Sequence, residues 1–161
     1  MIGWLKWAGV FLTGITILWG GTAIASVYKK RVLFWEQMAG LCRTFENEFR
    51  YTADTPKRIF QRFCWDKGLF GQPHLRYETW ESNFGDLQKS LGLKGEHSRQ
   101  INGFFAGLGT TDLEGQLAHC AVFSQVFWEF RNHAQEQYRS KGQLTRTLSV
   151  LLVAAVTILA I

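Results

Sequence analysis

Two apolar blocks without charged residues, one near each end of the chain, constrain the fold most. The first block runs from Trp7 to Val27, and at 1.5 Å per residue a helix of about 21 residues reaches roughly 31 Å, the thickness of a hydrocarbon core. The second block runs from Thr147 to Ile161, and all acidic residues lie between the blocks. The pattern predicts transmembrane helices at residues 1–28 and 147–161, on either side of a domain at 29–146.

The second block is the shorter one, at about 15 residues where spans usually have roughly 17 to 25. Two interpretations are open for it, a true span and a shallowly inserted or protein-buried helix. Basic residues on its inner side, Lys141 and Arg146, have stems long enough to reach the interface and favour the span.

The distribution of basic residues predicts the orientation in the membrane. They follow the first block directly and precede the second, whereas the outer side of the first block offers only Lys6 and the amino terminus. The inner residues are Lys29, Lys30, Arg31, Arg139, Lys141 and Arg146. The positive-inside rule then puts the middle of the chain in the cytoplasm and both termini outside it. The alternative is a cleaved signal peptide, because Ala23-Ile24-Ala25 matches a small-x-small cleavage pattern.

The middle of the chain has helical periodicity throughout, which predicts an all-α antiparallel helical bundle. We expect the first helix to run to about Tyr51 and a second to start at Thr55-Pro56, with Cys64 on its apolar face. Glycines and Pro73 predict a loop before the third helix. The apolar stripes of the first three helices are Phe34, Met38, Leu41, Phe45 and Phe49; Ile59, Phe60, Phe63 and Cys64; and Tyr77, Trp80, Phe84, Leu87 and Leu91.

A glycine and a capping pattern predict the joint between the last two helices of the domain. Gly109 suits the left-handed position after a fourth helix, and Thr111 with Glu114 matches a capping box that opens a fifth. Gly142 predicts a bend before the second apolar block. The stripes of these helices are Ile101, Phe104, Phe105 and Leu108; and Leu117, Cys120, Phe123, Phe127, Phe130, Ala134 and Tyr138.

The residues that could carry chemistry form no catalytic or metal-binding pattern. The sequence lacks a zinc-protease helix motif, a phosphate-binding loop and a nucleophile elbow, and its four histidines are scattered. The cysteines Cys42, Cys64 and Cys120 are odd in number and widely spaced, and all three are expected to be buried free thiols. We therefore expect no enzyme activity, no cofactor, no metal and no small-molecule substrate.

We also expect that the chain does not bind nucleic acid, although its net charge is +5. Basic and acidic residues alternate along the helices, and the aromatic residues fall on core stripes instead of forming an exposed stacking surface. Trp128 is the exception, because it falls off the main stripe. It is the aromatic residue that we most expect to touch a partner.

Two stretches resemble the stage III sporulation protein AB family. One is Phe45-Glu46-Asn47-Glu48-Phe49-Arg50-Tyr51 followed by Thr55-Pro56, and the other is Leu108-Gly109-Thr110-Thr111-Asp112 followed by Gln116. Length, terminal anchors and motif order are also similar. The resemblance marks seven residues as family motif and possible partner contacts: Tyr51, Thr55, Pro56, Leu108, Gly109, Asp112 and Gln116.

The resemblance implies a part in the channel complex that connects the mother cell with the engulfed forespore. The family is similar to the cytoplasmic domains of the inner-membrane platform proteins of type II secretion and type IV pilus systems. By that analogy the chain is a non-catalytic scaffold in the mother-cell membrane around the forespore, with a hexameric secretion-type ATPase and other channel subunits as partners. The alternative is a membrane-tethered accessory or sensor subunit of an unrelated transporter.

Asp112 and Gln116 have two interpretations. They are either an exposed contact for a partner or local residues that start the fifth helix, with the Asp112 carboxylate favoured by the helix dipole.

Overall fold

Helices make up every regular element of the computed structural model, which describes residues 2–52, 54–71, 74–93 and 95–160. Side chains of residues 2–24, 142, 143, 145, 146 and 156–160 lie outside the described part. The elements are α1 (Ile2–Tyr51), α2 (Pro56–Arg62), α3 (Lys67–Phe70), a 3-10 turn (Tyr77–Thr79), α4 (Trp80–Leu91), α5 (Glu96–Gly107), α6 (Leu113–Gln137), a π-helical turn (Tyr138–Gly142) and α7 (Gln143–Ala160). The all-α prediction is confirmed for the described residues.

The chain divides into two compact units. Lys30–Asn132 forms one, and Met1–Lys29 with His133–Ile161 forms the other. The domain limits predicted from sequence, 28/29 and 146/147, stay predictions.

The two predicted membrane spans are not confirmed. Among the described residues, no helix combines the length and the apolar character that a membrane crossing requires. Most of the first predicted span falls on residues 1–24, whose side chains lie outside the described part. The second predicted span falls on α7, and the π-helical turn that precedes it ends at Gly142, where the sequence predicts a bend.

The core of the Lys30–Asn132 unit is built mainly from aromatic rings. The stripe predicted for α1 is confirmed, because each of its five residues is buried. Phe84 of α4 is fully buried at the centre of the rings, and Trp35 of α1 stacks on Phe127 of α6 with 5.7 Å between ring centroids. Edge-to-face and offset ring pairs stabilise the packing of these helices by more than the burial of their apolar surface does alone.

The region after α2 differs from the prediction. α2 ends at Arg62, and Phe63 already has an extended backbone, so Cys64 leaves the apolar face of α2 and is exposed. The predicted burial of Cys64 is therefore wrong. Trp65 is buried in its place, and the expected loop contains α3, whose N-cap Asp66 accepts a hydrogen bond from the Leu69 N–H.

The other two cysteines are buried free thiols, as predicted. Burial raises the pKa of the Cys42 thiol well above its usual value, and Cys120 adds to the shift. Burial also raises the pKa of the Cys120 thiol to about 12, with a contribution from the Glu46 carboxylate. Both thiols are therefore protonated near neutral pH.

This difference in exposure predicts which cysteine reacts. Because the thiolate is the nucleophile, a maleimide at pH 7 should modify Cys64 rapidly and leave Cys42 and Cys120 unmodified in the folded chain. Peptide mapping by mass spectrometry measures the three sites separately, and unfolding in urea should expose all of them. Rapid modification of Cys120 in the folded chain would contradict the packing of α6 against α1.

Candidate functional site

The two stretches that carry the family resemblance meet in space. A Cβ placed on Gly109, between α5 and α6, would lie 3.7 Å from Cγ of Pro56 at the start of α2. The joint between α1 and α2 and the joint between α5 and α6 are therefore neighbours in the Lys30–Asn132 unit. We call this place the double joint, defined by residues 51, 52 and 54–56 together with residues 107–116.

The first half of the double joint is held by charged groups. Arg62 of α2 pairs with Asp54 at 2.5 Å and with Glu48 of α1 at 3.2 Å. Thr55 occupies the predicted N-cap position with Pro56 as the first helical residue, although the Thr55 hydroxyl makes no capping hydrogen bond. Each exposed ion pair contributes little by itself, but the three charged residues together connect α1, the loop and α2.

Gly109 has the backbone conformation that its sequence context predicts. α5 ends at Gly107, Leu108 is its C-cap, and Gly109 follows with φ +78°. At this φ the Cβ of any other residue would come too close to the following carbonyl oxygen, so glycine is favoured. The predicted left-handed end of the helix is confirmed.

The predicted capping box is wrong by one residue. α6 begins at Leu113, and the carboxylate of Asp112 accepts a hydrogen bond from the Gly115 N–H at 3.0 Å. Asp112 is thus the N-cap, whereas the Thr111 hydroxyl accepts a hydrogen bond from the Gln116 side chain at 3.0 Å. A Cβ on Gly115 would lie only 2.6 Å from the Thr111 hydroxyl, so glycine makes room for the turn.

Gln116 is buried and closes the turn from inside. Its Oε1 accepts a hydrogen bond from the Gly109 N–H at 3.0 Å, and its Nε2 donates to the Gly107 carbonyl at 3.2 Å as well as to Thr111. One amide therefore bonds both an N–H donor and a carbonyl acceptor at the end of α5, and the Thr110 hydroxyl donates to the same Gly107 carbonyl at 2.9 Å. Local roles therefore account for both residues: Asp112 caps the start of α6, and Gln116 closes the turn. Asp112 is also exposed, so its role as a partner contact stays a prediction.

His119 fixes α6 against α5. Its Nε2 lies 2.9 Å from the Phe104 carbonyl, and its ring stacks on Phe104 with 5.8 Å between centroids. The ring also covers Gly107, where a Cβ would come within 2.2 Å of it. A carbonyl partner and ring packing give His119 the role of a satisfied structural histidine.

Asp112 offers a test of the cap itself. Asp112→Ala removes the acceptor for the Gly115 N–H, and we expect a loss of about 0.5–2 kcal/mol in the free energy of unfolding. Asp112→Asn keeps a good capping group and should lose much less. Chemical denaturation of the full chain measures both, and equal losses in the two variants would show that the charge, and not the cap, is what matters.

The chemistry available at the double joint is recognition and positioning. No group of three or more metal-ligating side chains occurs within the described part of the chain. The polar groups of Asp112, Thr111 and Gln116 are engaged with backbone or with one another. The Tyr51 side chain, at the end of α1, is 81% exposed. Of the seven site residues predicted from the sequence, the structure brings Pro56 and Gly109 together and buries Leu108 and Gln116. The sequence did not indicate Gly115 and His119, because only the packing around them shows their roles.

The fold and this joint define an all-α protein in which two helix junctions lie next to each other. The model of the family described as stage III sporulation protein AB matches residues 72–161, which include the α5–α6 half of the double joint but not Tyr51, Thr55 and Pro56. The chain belongs to the stage III sporulation protein AB family. Neither the curated proteins nor the solved structures gave a match.

Proposed function

We propose that the chain is a non-catalytic platform subunit of the sporulation channel between mother cell and forespore, and that the double joint receives a secretion-type hexameric ATPase. Family membership supports a role in stage III of sporulation and favours it over an accessory subunit of an unrelated transporter. The single observation that carries the docking site is the meeting of Pro56 and Gly109, which brings the two family-like stretches together. Tyr51, in the same stretch as Pro56, is exposed.

The rigidity of the double joint fits a docking role. Its turn is closed by Gln116 from inside and by the Asp112 cap from outside, so a partner would meet preformed backbone and pay little to order it. Tyrosine is an amphipathic contact residue that often dominates binding energy when it becomes buried in an interface. Tyr51, at 81% exposed, and Leu113, at 51%, are large exposed side chains at this joint, and Tyr51 is the more exposed of the two.

The proposal includes anchoring by the two terminal apolar blocks, with the Lys30–Asn132 unit on the cytoplasmic side of the mother-cell membrane. The basic residues that border both blocks support this orientation. The likeness to the cytoplasmic domain of secretion and pilus platform proteins belongs to the same proposal.

Co-purification tests the proposal. The tagged full chain from membranes of sporulating cells should recover the channel subunits and the ATPase. Tyr51→Ala should lower ATPase recovery on the order of tenfold while the melting temperature is kept, because the side chain is exposed. His74→Ala, an exposed residue outside the double joint, serves as the control. Recovery of transporter proteins without the ATPase from the unaltered chain would overturn the proposal.

A further inference from the structure

Three side-chain polar atoms in the described part of the chain are buried without a hydrogen-bond partner. They are Nε1 of Trp65, Oε1 of Gln37 on α1 and Nε of Arg131. The Arg131 guanidinium carries further N–H groups, whereas the indole N–H is the single polar group of the Trp65 side chain, which is only 1% exposed. An unpaired buried donor lowers the stability of the fold, so such groups in proteins are generally bonded to other protein groups or to internal water.

Trp65 is connected to α1 through the ring of Phe63. The centroids of the Phe63 and Trp65 rings are 4.7 Å apart. A Cβ placed on Gly40 of α1 would lie 3.8 Å from Cζ of Phe63. One connection from Trp65 therefore reaches α1 at position 40.

A second ring connects Trp65 with α1 about two turns earlier. The Phe70 centroid lies 4.8 Å from that of Trp65 and 6.4 Å from that of Phe34 on α1. Positions 34 and 40 are each three residues from Gln37, so they lie on the same side of the helix, about 4.5 Å along its axis in either direction. The two connections bracket Gln37, which makes it the polar residue of α1 that faces Trp65.

We propose that Gln37 and Trp65 bind one internal water molecule between α1 and the segment that follows α2. The water oxygen accepts a hydrogen bond from the indole N–H, and one water O–H donates to Oε1 of Gln37. Water fits a site of one donor and one acceptor because it can act as both. Both protein groups are uncharged, so the pair favours a neutral molecule over an ion.

The alternative is a direct hydrogen bond between the two side chains. The two atoms do not form one in the structure, because each is without a partner. A bridging water satisfies both atoms while the ring contacts of Phe63 and Phe70 stay as they are. It also fixes the orientation of the indole, so a polar link adds to the ring packing that holds this segment on α1. The site lies outside the double joint, so the inference does not rest on ATPase docking there.

Nuclear magnetic resonance of the isotope-labelled full chain tests the proposal. The indole N–H signal of Trp65, identified by its loss in Trp65→Phe, should show a cross-peak to the water resonance. In a rotating-frame experiment, dipolar contact with a bound water and proton exchange with the solvent give cross-peaks of opposite sign. A dipolar cross-peak is the expected result, and an exchange peak alone or no cross-peak in the folded chain would overturn the proposal.

Variants at Gln37 make the test specific to the pair. Gln37→Leu removes the acceptor at similar volume, so the water cross-peak of Trp65 should be lost and the indole proton signal should move upfield. Gln61→Leu makes the same change at an exposed position of α2 and should leave both signals unchanged. Gln37→Met removes the acceptor with an unbranched side chain if leucine disturbs folding. A water cross-peak that persists in a folded Gln37 variant would show that Gln37 does not hold the water and would contradict the proposal.

Discussion

Phe84→Ala should lower the free energy of unfolding by about 3–5 kcal/mol, the range for deletion of a fully buried aromatic ring. Phe84 has no exposed surface and lies at the centre of the aromatic core. Its ring centroid is within 6.5 Å of six other rings, those of Phe34, Phe60, Trp65, Phe70, Trp80 and Phe105.

The expected loss is large because several helices contact the Phe84 ring. α1, α2, α3 and α5 each place an aromatic side chain against α4 through Phe84, so a cavity at this position reaches contacts in every direction. Rigid rings refill a cavity less completely than flexible aliphatic side chains, which adds to the loss from transfer alone.

Equilibrium denaturation of the full chain, followed by near-ultraviolet circular dichroism, measures the loss. Phe84→Leu retains much of the volume and should cost less than Phe84→Ala, which keeps the comparison informative if the alanine variant does not fold. A loss of under about 1 kcal/mol for Phe84→Ala would be typical of a surface position and would contradict the core described above.

The second prediction compares two helical glycines, at which substitution by alanine should change the stability in opposite directions. Gly107→Ala should cost about 1–3 kcal/mol, because the new Cβ would come within 2.2 Å of the His119 ring. Gly85→Ala should instead stabilise the chain by roughly 0.5–1 kcal/mol, since no heavy atom lies within 4 Å of a Cβ there and alanine is the better helix former.

A double-mutant cycle shows whether His119 is the cause. In a His119→Ala background the space above Gly107 is open, so Gly107→Ala should cost much less than in the unaltered chain. Thermal melting of the four variants supplies the cycle. Additive losses would mean that the ring of His119 is not what excludes a side chain at position 107.

The helices could be predicted because their cause is local. Apolar residues at spacings of three and four placed the buried stripe of α1 correctly, and Gly109 marked the end of α5 by the one residue type that adopts its φ cheaply. An apolar stripe arises whenever one side of a helix faces the core, and it does not depend on which element packs against that side.

The details that could not be predicted depend on which groups compete for the same position. Thr111 and Glu114 fit a capping box, but Asp112 took the cap because α6 starts one residue later and Gln116 engages the Thr111 hydroxyl. Cys64 fits the stripe of α2, yet the chain turns away after Arg62 and Trp65 fills the core. Both errors arise from partners that lie outside the local pattern.

The contact between Gly107 and His119 has an evolutionary consequence. A larger residue at position 107 costs stability as long as this imidazole is present, so a descendant enlarges position 107 with least loss after position 119 has become smaller. The two sites are therefore expected to change in a fixed order along a lineage, with His119 first. Related chains should fall into two groups, one with glycine opposite a ring and one with a side chain opposite a small residue.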